Sequence, residues 1–86
     1  MRVTLYTKPG CLLCDELKAD LLALQAEIGF ALVERNIEED EDDFARFRYH
    51  IPAIDVENGP LLTPPHDFVL LRRTLGAARD QSTADS

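Results

Sequence analysis

The chain has 86 residues, 45% of them apolar and 29% charged, with a formal net charge of -7. That length suits one domain with one small core, and the composition suits a globular protein rather than a disordered one. The acidic balance argues against nucleic acid, whose phosphates need Lys and Arg, and against anionic membrane surfaces, while no apolar run approaches the ~20 residues of a membrane span.

Arg2 to Tyr6 alternates, with Val3 and Leu5 on one face, and its Val, Thr and Tyr favour a strand. Pro9-Gly10 ends that strand in a turn. Cys11 and Cys14 follow, and they open a segment whose apolar residues recur at Leu13, Leu17, Leu21, Leu24 and Ile28, one stripe of a helix. Asp15 and Glu16 fall in its first turn, where the helix dipole favours acids, and Gly29 fits the position just past its end. Phe30 to Val33 is expected to be a second strand, with Glu34 to Ile37 as its candidate extension; strand, helix and strand then make a βαβ unit with a parallel pair.

Glu38 to Asp43 are six acids in succession, read as the solvated start of a short helix carrying Phe44 and Phe47, with a docking surface for basic partners as the sharper alternative. Ile51-Pro52 stops that helix. Ala53 to Val56 reads as a third strand, Asn58-Gly59 as a hairpin turn, and Pro60 to Leu62 as the returning edge strand. Thr63 is the expected N-cap of a last helix with Pro64 in its first position, Phe68, Leu71 and Leu75 its stripe, and Gly76 its end. One domain is expected over 1–76, followed by a flexible tail over 77–86.

A Cys-x-x-Cys pair between a strand and a helix, in a chain without other cysteines, reads as a thiol–disulfide redox motif. The helix N-terminus stabilises a thiolate at Cys11, and two intervening residues let Cys14 reach back across one turn. Lys8 adds a positive charge nearby. Leu12 and Leu13, by desolvation, and Asp15 and Glu16, by charge, oppose the thiolate. The alternatives are inert core thiols, half of a zinc site completed by His50 and His66, or an iron–sulfur site with thiolates supplied from elsewhere. His50 otherwise reads as a helix-end residue and Tyr6 equally as core or active site. Two cysteines are too few for a disulfide scaffold, and the N-terminus enters a strand without resembling a signal peptide. A reducing cytoplasm is therefore the expected compartment.

The element order β-α-β-α-β-β-α with Cys-x-x-Cys after the first strand resembles the thioredoxin superfamily over roughly residues 2 to 76, and the length resembles its smallest members, the small bacterial glutaredoxin-like proteins. The segment Lys8-Pro9-Gly10-Cys11-Leu12-Leu13-Cys14 is similar to the glutaredoxin active site. Ile51-Pro52 before a strand resembles the cis-proline site that faces the disulfide, and Asp67 matches an acid that binds the α-amino group of glutathione. The resemblance implies an α/β thioredoxin-like fold, a four-stranded mixed sheet flanked by helices. It implies a monomeric dithiol–disulfide oxidoreductase acting on a disulfide-containing protein or small-molecule thiol. Cys11 would be the nucleophile and Cys14 the resolving thiol, with Lys8, Ile51, Pro52 and Asp67 binding substrate. No metal and no resident cofactor are implied, glutathione being at most a co-substrate; a redox-inactive binding module on the same fold, or a metal or iron–sulfur protein, is the alternative. The chain departs from the glutaredoxins in three places. Leu12-Leu13 replaces Pro-Tyr or Gly-Pro, Ile51 stands where many relatives have Thr or Val, and Thr63-Pro64 replaces the Gly-Gly before the last helix. Proline offers no N–H to a ligand carboxylate, so glutathione is expected to bind poorly.

Overall fold

Strand β1 (Arg2–Thr7) lies inside the sheet because both of its faces are covered: Val3 and Leu5 are fully buried on one side and Tyr6 on the other. The computed structural model, which describes residues 1–84, pairs β1 in parallel with β2 (Ala31–Asn36) and antiparallel with β3 (Ala53–Val56). Strand β4 (Leu61–Leu62) adds antiparallel to β3, so the four-stranded sheet runs β2-β1-β3-β4. The helices are α1 (Leu12–Ile28), α2 (Glu41–Phe47) and α3 (Phe68–Ala84). The element order and the mixed, helix-flanked sheet are those predicted.

The strand alternation sorts the core into two layers. Val3, Leu5, Ile54 and Val56 meet Leu17, Leu21 and Leu24 of α1 and Leu71, Leu75 and Ala78 of α3. Tyr6 and Ala53, turned the other way, meet Ile37 and Phe47; the Tyr6 and Phe47 rings stack with centroids 4.3 Å apart. Each fully buried Leu in the larger layer contributes about 1.5–3 kcal/mol of transfer free energy. Ion pairs tie the elements at the surface. Glu34 bonds and raises Lys18, joining β2 to α1 at 2.9 Å; Asp43 does the same to Arg35, joining α2 to β2 at 2.8 Å; and Arg72 of α3 pairs with Glu27 of α1.

Several local expectations are corrected. The buried stripe of α1 is Cys14, Leu17, Leu21 and Leu24, and Leu13 stands outside it, 62% exposed. The second strand starts at Ala31 rather than Phe30 and ends at Asn36, because Ile37 opens a 3₁₀ turn (Ile37–Glu39) that buries its side chain. The acidic run is thereby split between that turn and α2, which Asp40 caps by accepting the N–H groups of Asp42 and Asp43. Thr63 and Pro64 do not begin the last helix: residues 63–67 are irregular, and α3 starts at Phe68. Phe68 is exposed, and the buried stripe is Leu71, Leu75 and Ala78. Nor does α3 end at Gly76. It runs on to Ala84 with Ala78 only 4% exposed, so 77–84 are helical where a tail was expected; the last two residues of that expected tail lie outside the described residues.

Candidate active site

After β1 the chain turns at Pro9-Gly10, where Gly10 takes φ 75°, a conformation that side-chain-bearing residues rarely adopt. The turn delivers Cys11 to the N-cap of α1, in extended conformation. Its Sγ accepts the backbone N–H of Cys14 at 3.2 Å, while its carbonyl accepts that of Asp15. Cys11 thus does with sulfur what Ser or Asp does with oxygen at helix starts. The two cysteines form a disulfide across Cα atoms 5.2 Å apart. Cys11 is half-buried and Cys14 is 1% exposed, so only the first is open to a reaction partner. The intervening Leu12 and Leu13 are 70% and 62% exposed and frame the disulfide with apolar surface.

Beside it lies a groove of 480 Å³ lined by Leu13, Glu16, Leu17 and Asp20 of α1 and by Pro52, Pro64, Pro65 and His66. The Ile51-Pro52 bond is cis, as expected from the resemblance, and Pro64-Pro65 is a second cis bond that the sequence did not disclose. His66 donates its Nε2–H to the Pro52 carbonyl at 2.6 Å, joining the two proline segments.

The other predicted residues lie outside the lining of this groove. Lys8 is exposed and lines a separate hollow with Thr7, Asp15, Glu34 and Asn36. Ile51 packs on the Tyr6, Ile37 and Phe47 layer. Asp67 lines a small adjoining cavity with Pro65, His66 and Leu70, and its carboxylate accepts the Val69 N–H at 2.9 Å, capping α3. The four predicted binding residues are therefore not gathered in one pocket: Pro52 lines the groove, Asp67 lies next to it, Ile51 packs on the smaller core layer, and Lys8 lies apart. Tyr6 belongs to the core and His50 is exposed in the turn after α2. Among the described residues no group of three or more His, Cys, Asp or Glu is placed to hold a metal. The sequence reading missed His66 as a wall of the groove; the only signal for it was its place directly after Pro64-Pro65.

Residues 2–76 match the glutaredoxin-like domain family (DUF836). The chain belongs to that family. This glutaredoxin-like protein is similar to the X-ray structure of target protein XcR50 from X. campestris, with 28% identity and a TM-score of 0.74 over 87% of this chain and 96% of that one. It also shares its fold with thioredoxin 1 from the thermophilic eubacterium Thermosipho africanus TCF52B, at a TM-score of 0.77, 96% and 99% coverage and 9% identity. No curated protein matches it. The glutaredoxin-like protein therefore has a thioredoxin-like fold with a redox-capable cysteine pair at the site where α1 begins.

Proposed function

We propose that the glutaredoxin-like protein is a thiol–disulfide oxidoreductase that reduces protein or small-molecule disulfides. The observation that carries this reading is the asymmetric pair: Cys11 at the helix N-cap, reachable and bonded by the Cys14 N–H, and Cys14 buried within bonding reach behind it. In the reduced protein the Cys11 thiolate attacks a substrate sulfur and forms a mixed disulfide. Cys14 then attacks Cys11 Sγ, releases the substrate as thiol, and leaves the Cys11–Cys14 disulfide. The N–H groups at the start of α1 favour the attacking thiolate. A monomer working in a reducing cytoplasm fits this chemistry. Among the described residues no helix is long and apolar enough to cross a membrane. In the Cys14→Ser protein the second step is blocked, so mixed disulfides should accumulate on Cys11 and be recoverable by mass spectrometry. Absence of any adduct with disulfide substrates, at a Cys11 that still alkylates, defeats the proposal.

Glutathione belongs at the margin of this function. Thr63-Pro64 stands where glutaredoxins place Gly-Gly, Pro64 and the following Pro65 present no N–H, and α3 opens only at Phe68, with Asp67 already engaged by Val69. Loss of one charge-assisted hydrogen bond costs roughly 1.5–3 kcal/mol, about ten- to over a hundredfold in affinity. Titration of glutathione into the Cys14→Ser protein, followed by NMR, should give no saturation at micromolar concentration. Micromolar saturation with shifts at Lys8, Ile51 and Asp67 contradicts that expectation.

A further inference from the structure

We infer that the groove beside the disulfide docks an extended protein segment with an apolar residue near its cysteine and a Lys or Arg two to four residues away. This inference rests on the oxidoreductase reading and assigns the substrate class of the same site. The floor of the groove is apolar, made by Leu17 and Pro52, and its walls are Leu13, Pro64 and Pro65. One side is acidic: Glu16 and Asp20 stand four residues apart, on one face of α1, and no Lys or Arg lines the groove. Neither carboxylate has an ion-pair partner among the described residues. Two like charges at that spacing repel each other, and a bound cation relieves the repulsion.

The reach follows from helix geometry. Glu16 and Asp20 lie five and nine residues beyond Cys11, about 7.5 and 13.5 Å along the axis. An extended chain covers those distances in about two to four residues. A substrate cysteine at Cys11 Sγ therefore carries its neighbours along α1, an apolar side chain onto Leu13 and Leu17 and a basic one to the carboxylates. An anionic tripeptide such as glutathione meets the same carboxylates with the wrong sign.

The reaction at the docked segment is balanced within the pair. Cys11 Sγ bonds to the substrate sulfur nearest it, and the second substrate sulfur leaves as a thiolate. Cys14 Sγ then displaces the first. Two electrons pass from dithiol to substrate, and the two thiol protons end on the two substrate sulfurs.

The test uses end-capped peptides, Cys-Ala-Leu-Lys and Cys-Ala-Leu-Glu, and their Ser-for-Cys counterparts. Docking alone is read by NMR titration of the Ser peptides into the oxidised protein. The Lys peptide should bind roughly three- to tenfold tighter than the Glu peptide at low ionic strength, with shifts at Leu13, Glu16, Asp20 and His66. The gap should close in high salt. Equal binding, or shifts elsewhere on the surface, overturns the docking site whatever the chemistry proves to be. Chemistry is read by single-turnover reduction of the peptides' mixed disulfides with the pre-reduced protein, where the rate ratio should have the same sense. In Glu16→Lys/Asp20→Lys the ratio should invert, and a ratio unchanged in that variant also overturns the site. If the Lys peptide docks at these residues while neither mixed disulfide is reduced, the docking site stands and the oxidoreductase reading fails.

Discussion

Cys11 and Cys14 are chemically the same residue in different surroundings. Cys11 sits where unsatisfied helix N–H groups converge, and Cys14 is one turn in, beneath the core-facing side of α1. Exposure and helix field act together on Cys11, so alkylation of the reduced protein at pH 6 with limiting reagent should label Cys11 well ahead of Cys14. Peptide mapping that finds the adduct mainly on Cys14 reverses the assignment of nucleophile. Around the pair, residue type alone was a poor guide to place. Leu13 and Leu17 look alike in the helical stripe and both line the groove, yet Leu13 stands exposed at its edge while Leu17 is buried in the core and only floors it. Helical periodicity defines an arc on α1 without saying where along that arc the sheet ends and solvent begins.

Among the elements, α2 depends most on one cap. It has only seven residues, and the Asp40 carboxylate holds two of its first N–H groups. A helix that short has little propensity of its own, so Asp40→Ala should cost about 0.5–2 kcal/mol in urea denaturation. A cost near zero would mean that the stacking of Phe47 on Tyr6 holds α2 without its cap. The run of acids containing Asp40 was legible as a helix start, but the 3₁₀ turn inside it was not. Ile37 sets that turn by being buried, and its burial depends on Tyr6, Phe47 and Ala53 arriving from three other elements. At the other end, Gly76 looked like a terminator. The helix passes through it because good helix formers follow and because Ala78 finds the core across from Val3 and Val56.

For the molecule as a whole, the larger core layer joins β1, β3, α1 and α3, so a void in it is shared by all four. Leu21→Ala should lower stability by about 2–5 kcal/mol, whereas Leu13→Ala, outside the core, should leave the melting curve nearly unchanged; similar losses for both would place Leu13 in the core after all. Truncation after Gly76 removes Ala78 and should cost at least about 0.8 kcal/mol for the buried methyl, while a melting curve identical to that of the full chain would return 77–84 to the status of a tail. The strand alternation of β1, the leucine spacing of α1, the Pro-Gly turn and the Cys-x-x-Cys pair are local patterns, each written within a few consecutive residues. From them the element order, the parallel β1–β2 pair and the dithiol at the head of α1 could be read directly. The groove is different in kind. Its walls come from α1, from the segment before β3 and from the stretch before α3, three separate stretches of the chain. Their meeting depends on the sheet order β2-β1-β3-β4 and on His66 reaching the Pro52 carbonyl, contacts that no local pattern encodes.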